Sequence, residues 1–127
     1  MIKQLNIQTT RRNEIIDITD DVQDLVKDID EGLLTIHIPH TTAGITINEN
    51  ADPDVKSDIL KKLSELIPEQ NDYNHAEGNS DSHLKASLIG FTQNIIIKDG
   101  KLLLGTWQGI WFCEFDGPRT RKIIVKY

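Results

Sequence analysis

The sequence predicts a mainly β protein, a single-domain antiparallel β-sandwich with helical insertions. Three observations carry that prediction. Asp99-Gly100 lies between two short apolar segments, the residue pair that a tight two-residue hairpin turn demands. Residues 106–115 form a long stretch rich in aromatic side chains, which suit a pleated surface, and Asp116-Gly117-Pro118 then turns the chain. Helical spacing or capping signals occur in only three segments, each flanked by strand-like ones.

Taken in order, residues 2–7 and 14–18 are short, partly alternating segments and are expected as strands. Asp20 is placed to cap a helix, with Gln23 three residues on as in a capping box. Val22, Leu25, Val26 and Ile29 recur at helical spacing, and Gly32 is the expected stop. Residues 33–38 follow as a strand, with Leu34, Ile36 and Ile38 on one face and Thr35 and His37 on the other. Residues 44–48 alternate again. Asp52-Pro53 starts a second helix, a capping carboxylate before proline at the first helical position. Val55, Ile59, Leu63, Leu66 and Ile67 are its expected buried stripe, closed by Pro68. Residues 69–79 are polar and irregular, and Ser80 is expected to cap a short helix through residue 88, ended by Gly90. Residues 94–98 and 101–104 flank the hairpin turn, and a last strand ends near Lys126.

A chain of 127 residues can bury a core of its own, and 38% hydrophobic with 27% charged residues is a globular balance. A net charge of −6 argues against a nucleic-acid or anionic-membrane surface, which leaves a small molecule as the expected partner. The lone cysteine, Cys113, allows neither an internal disulfide nor a cysteine zinc cage. No segment approaches the roughly 20 apolar residues of a membrane span, so a cytoplasmic protein is expected. Glycine-rich phosphate loops, dinucleotide fingerprints and serine-hydrolase elbows are absent from the sequence.

The densest chemistry lies in His75-Ala76-Glu77-Gly78-Asn79-Ser80-Asp81-Ser82-His83. Together with His40, in Pro39-His40-Thr41-Thr42, these histidines suggest an open three-imidazole site for zinc or another divalent transition metal, its fourth position free for water or substrate. Two solvated loop histidines are the plainer reading of His75 and His83. His37, on a polar strand face, is read as a bystander. Glu77 and Glu49 are candidate bases for a bound water, or orient an imidazole, or simply face solvent. Asn79, Ser80 and Asp81 are candidate substrate contacts, with helix capping the alternative for Ser80. Arg119 suits a carboxylate or phosphate, or a bridge to Asp116. His75-x-Glu77 matches half of the zinc deaminase pattern, but one cysteine excludes the Cys-x-x-Cys half. Trp107, Trp111, Phe112 and Phe115 are expected in the core or in a subunit contact, and Cys113 as a buried small side chain.

Three blocks carry a resemblance: residues 39–50 (PHTTAGITINEN), residues 75–88, and Leu104-Gly105-Thr106-Trp107-Gln108 through Phe115-Asp116-Gly117-Pro118-Arg119. Together they resemble the YjbQ-like family, also labelled secondary thiamine-phosphate synthase. The resemblance implies a jelly-roll-like sandwich assembled as a homotrimer, with zinc held by His40, His75 and His83. It also implies a weak thiamine-phosphate synthase activity, joining hydroxymethylpyrimidine diphosphate to thiazole phosphate; the residues themselves add the catalytic candidates, Arg119 to hold phosphate in such a transferase and Glu49 or Glu77 as base for a bound water in a hydrolase. Two alternatives stand beside it: a zinc-dependent hydrolase of a small phosphorylated or heterocyclic metabolite, and a non-catalytic metal- or small-molecule-binding trimer. Diphosphate departure usually employs magnesium among carboxylates, whereas imidazoles favour zinc, so the residues speak for the site more strongly than for that reaction.

Overall fold

Alternation along the strands builds two antiparallel sheets around a shared interior. A computed structural model describes all 127 residues. In chain order the elements are β1 (Ile2–Gln8), β2 (Glu14–Asp17), α1 (Thr19–Val26), β3 (Glu31–His37), β4 (Ala43–Glu49), α2 (Pro53–Leu66), α3 (Ser80–Ile89), β5 (Thr92–Lys98), β6 (Lys101–Leu102), β7 (Gln108–Glu114) and β8 (Thr120–Lys126). One sheet has the order β1-β8-β3-β5-β6 and the other β2-β7-β4. This is the mainly β architecture with helical insertions that the sequence predicts. Leu34, Ile36, Ile95, Ile97, Ile123 and Val125 from the first sheet meet Ile45, Ile110 and Phe112 from the second in one buried cluster. Each such side chain contributes on the order of 1.5–3 kcal/mol through burial.

β7 is buried on both faces, which explains its unbroken apolar run. Ile110 and Phe112 enter the main core, while Trp111 and Cys113 join Leu63, Ala86 and Phe115 in a second cluster under α2 and α3. Those two helices therefore cover the outer face of the three-stranded sheet. Close approach is needed where α3 ends: a Cβ on Gly44 of β4 would lie 2.7 Å from the Gly90 carbonyl oxygen. That contact is used, because Ile45 N–H donates to Gly90 O at 3.0 Å.

Local signals fared differently. The Asp52 carboxylate accepts from Asp54 N–H at 2.9 Å, and Pro53 opens α2 as predicted. Leu66, placed on the buried stripe by spacing, is 67% exposed because the chain there leaves the second cluster. Asp99 and Gly100 have φ of 53° and 73°, the positive pair that a type I′ hairpin turn requires. The capping box at Gln23 does not form. Its amide instead donates to Gly100 O at 2.8 Å and accepts from Leu102 N–H at 3.0 Å, tying α1 to the hairpin. Gly32 is no helix stop either; α1 ends at Val26 and Gly32 lies inside β3, opposite Ile97.

Candidate functional site

Four pieces of chain meet at one end of the sandwich. The segment after β3 brings Pro39, His40, Thr41 and Thr42, and the polar segment before α3 brings His75, Glu77 and Asn79. α3 adds His83 from its first turn, and the β7–β8 connection with the start of β8 adds Asp116, Arg119 and Arg121. They line an open cleft of about 450 Å³ whose wall, Pro39 apart, is made of polar side chains.

His40 is held by the neighbouring strand. Lys122 N–H donates to its Nε2 at 2.9 Å, so the neutral ring carries its proton on Nδ1. Burial pushes the His40 pKa below its ordinary 6.5, and the Arg121 charge pushes the same way. His75 and His83 meet edge to face, ring centres 5.4 Å apart and planes at 90°. Glu77 Oε2 lies 3.9 Å from His75 Nε2.

The cationic side of the cleft is Arg119. Its Nε donates to the Asp116 carbonyl at 2.8 Å and one terminal nitrogen to the Asp116 carboxylate at 3.0 Å, while about half of the side chain stays exposed. Asp116 also accepts from Asn79 Nδ2 at 2.9 Å and lies 3.7 Å from Arg12. Asn79 occupies the N-cap position of α3, yet its side chain makes no cap hydrogen bond. It is 7% exposed, and its Oδ1 has no donor. Arg121 is buried, bonded through two nitrogens to the Glu114 carboxylate and at 2.9 Å to Thr42 Oγ1, so its charge is already matched.

Several sequence candidates fall elsewhere. Glu49 ends β4 opposite Gln108 and is not part of the cleft wall. Ser80 opens α3 but does not line the cleft, and Asn79 rather than Ser80 sits at the cap position. Asp81 is fully buried between Arg12 at 2.9 Å and Lys85 at 3.3 Å, a support behind the cleft and not a substrate contact. His37 stands apart, its Nδ1 2.9 Å from Thr92 Oγ1. Arg121, Thr42 and the full part played by Asp116 were missed. The signal for Arg121 was readable: it shares strand parity with the buried Ile123 and Val125, a cation at an inward position.

No group of three or more His, Cys, Asp or Glu side chains is arranged to hold a metal ion. The reason is local. With Nε2 accepting from Lys122 N–H and Nδ1 protonated, His40 offers no free lone pair beside the His75–His83 pair. The three imidazoles as arranged do not fit a three-ligand zinc site.

The YjbQ family model, described as UPF0047 protein YjbQ-like, matches residues 3–127. A UPF0047 protein of Methanocaldococcus jannaschii is 56% identical, over 99% of this chain and 93% of its own length. UPF0047 protein YugU of Bacillus subtilis is 53% identical, over 99% and 98%. A solved structure from Clostridium acetobutylicum, described as an uncharacterized conserved protein of the YjbQ/UPF0047 family, superposes with a TM-score of 0.95 at 54% identity, covering 98% of both chains. One from Sulfolobus solfataricus, described as a protein of unknown function, gives 0.93 at 35% identity, covering 98% and 94%. These findings correct the expected function. The relatives are known as UPF0047 proteins of unknown function, not as thiamine-phosphate synthases. With no assembled metal group, the metal-binding enzyme and its zinc-hydrolase and metal-trimer alternatives lose their basis.

Proposed function

The chain belongs to the YjbQ-like UPF0047 family, and from its cleft we propose that it binds a small molecule through an oxyanion group. One observation carries this reading: a half-exposed guanidinium, Arg119, fixed by Asp116 in a cleft without a hydrophobic wall. Two of its five N–H groups are spent on Asp116, and the rest present a planar fork suited to a phosphate or carboxylate. The Nδ1–H of His40 adds a neutral donor, and His75 and His83 add rings able to donate or accept. The arginines of the cleft are balanced by Glu77, Asp116 and Glu114, so this reading rests on the exposed N–H donors of Arg119 and not on a positive field.

Within this reading Arg119 holds the anion, Asn79 lines the wall, and Glu77 stands 3.9 Å from His75, beyond hydrogen-bond reach. Zinc or another divalent transition metal stays a proposal for the His75–His83 pair alone, and nothing in the oxyanion reading depends on it. Assembly as a homotrimer and a cytoplasmic location are proposed with it; no helix is long and apolar enough to cross a membrane.

Calorimetric titration with inorganic phosphate and with malonate tests the reading. At least one should bind the native protein, and Arg119→Met should weaken it about tenfold or more, as loss of a charge-assisted fork implies. Absence of binding by either anion at millimolar concentration sinks it.

A further inference from the structure

Residues 68–78 run between α2 and α3 and carry His75 and Glu77 into the cleft wall, yet little holds them to the sandwich. They form no helix or strand, and most of them are exposed. Their one backbone–backbone hydrogen bond, from Tyr73 N–H to Asn71 O, stays inside the segment. So does the Tyr73 hydroxyl, which donates to Pro68 O at 2.7 Å. None of their side chains joins either hydrophobic cluster. Beyond the edge-to-face contact of His75 with His83, the ties to the body come from one residue. Arg12, in the β1–β2 connection, donates to Gly78 O at 3.4 Å and lies 3.4 Å from the Glu69 carboxylate. The same guanidinium is fixed on buried Asp81 at 2.9 Å and lies 3.7 Å from Asp116, so its own position is set by the body. Gly78 has φ of 77° with open space around it, which suits a pivot just before α3. Few bonds and no apolar anchor mark a segment that opens at small free-energy cost.

We propose that residues 68–78 are a strap over the cleft, latched by Arg12 and drawn closed by a bound oxyanion. Arg12 is then a positioning residue for a ligand it does not touch, since it stands outside the cleft wall. This rests on the oxyanion reading and adds its regulation. A ligand shifts a segment only through interactions that differ between the open and closed states. His75 supplies the favourable one: its ring shares the cleft with Arg119 and, when closed, offers an anion a further N–H. Glu77 rides on the same strap and opposes an anion, so the net pull is the difference between the two. Arg12 biases the same equilibrium from behind the cleft, joining both ends of the strap to Asp81 and Asp116.

The test is limited proteolysis with dilute chymotrypsin, the cut after Tyr73 being followed by mass spectrometry. Tyr73 lies in the strap but outside the cleft wall, so a bound anion does not shield it by contact. When reclosing is fast, the rate of this cut tracks the population of the open strap. Saturating inorganic phosphate should slow it about threefold or more in the native chain. The cut after Trp107, 63% exposed and far from the strap in sequence, should not change. Arg12→Lys keeps a charge beside Asp81 but loses the fork; without phosphate it should speed the Tyr73 cut about threefold or more, and phosphate should reverse part of that. Glu77→Gln should deepen the protection by phosphate. A Tyr73 cut unaltered by phosphate, although calorimetry shows phosphate bound, overturns the proposal and leaves the oxyanion reading intact. Equal slowing at Trp107 overturns it too, as does an Arg12→Lys chain cut no faster than native. If phosphate and malonate both fail to bind, the oxyanion reading fails and takes the strap with it. Should Arg12→Lys not fold, Glu69→Gln removes the exposed end of the latch alone and must speed the same cut.

Discussion

Asp81→Asn separates a structural carboxylate from a ligand contact, and its cost can be worked from the ion pairs behind the cleft. Asp81 is fully buried and Lys85 is 2% exposed. Arg12, the other partner, is 31% exposed and keeps Glu69 at 3.4 Å and Asp116 at 3.7 Å when Asp81 is neutralised. Lys85 keeps only neutral acceptors, Asn13 Oδ1 at 3.3 Å and Ser64 Oγ at 3.4 Å. The loss therefore falls on a buried ammonium left without a counter-charge, a situation that costs about 3–5 kcal/mol. For a domain of this size that lowers the thermal midpoint by about 10–20 °C. Urea unfolding, followed by Trp111 fluorescence, measures the change directly. Lys85→Met in the Asp81→Asn background should recover most of it, because an apolar side chain of similar length has no charge to leave stranded. Phosphate affinity below the unfolding transition should stay nearly native in both variants. A loss under about 1 kcal/mol, or a fall in affinity without a fall in stability, would refute the assignment of Asp81 as a buried support.

Three further outcomes are expected. Burial pushes the Cys113 thiol up to about 12, so it should resist alkylation at pH 8 in the native protein and react within minutes in urea; fast native labelling would contradict its place under α2 and α3. The folded pKa of His40 is lowered below 6.5, so the unfolded chain binds the extra proton first. Its share of the stability is complete above pH 6.5 and drains away as pH falls through the lowered value; the urea midpoint should drop between pH 7 and 5, less so in His40→Asn. Light scattering should give three times the 14.4 kDa chain mass if the chain assembles as proposed, and the mass of a stable monomer would contradict it.

The fold was legible wherever one residue type has a narrow range of backbone roles. Asp99-Gly100 favours positive φ at both positions and has it, and Asp52-Pro53, ahead of a helically spaced apolar stripe, begins a helix. Strand parity in β3 was legible because a shift by one residue would expose Leu34, Ile36 and Ile38 together. Helix ends resting on weaker signals were not. The α1 region looked like a helix of three turns closed by Gly32, but the chain gains more by pairing 31–37 with β5 and β8 than by extending the helix. Gln23 shows the same competition at one side chain: bonding the hairpin backbone at two points outweighs one capping contact.

The site was legible as a set of residues and not as a function. Sequence brought His40, His75, His83, Glu77, Asn79 and Arg119 to attention, and all six line one cleft. Their chemistry turned on partners that sequence does not display. Whether an imidazole is a ligand depends on both nitrogens, and the decisive partner of His40 is a backbone N–H 82 residues away. Asp81 looked like part of a polar binding cluster because it follows Asn79 and Ser80, yet Asn79 stands outside α3 at its cap and each step along the helix turns a side chain by about 100°. That rotation puts Asp81 against Lys85 and leaves Asn79 in the wall. Arg119 and Asn79 then share one anchor, Asp116, which fixes the guanidinium and the amide with a single carboxylate. An anion that enters the cleft thus meets the guanidinium of Arg119 already set in place. Asp116 carries that arrangement, since without it neither the fork of Arg119 nor the orientation of the Asn79 amide is determined.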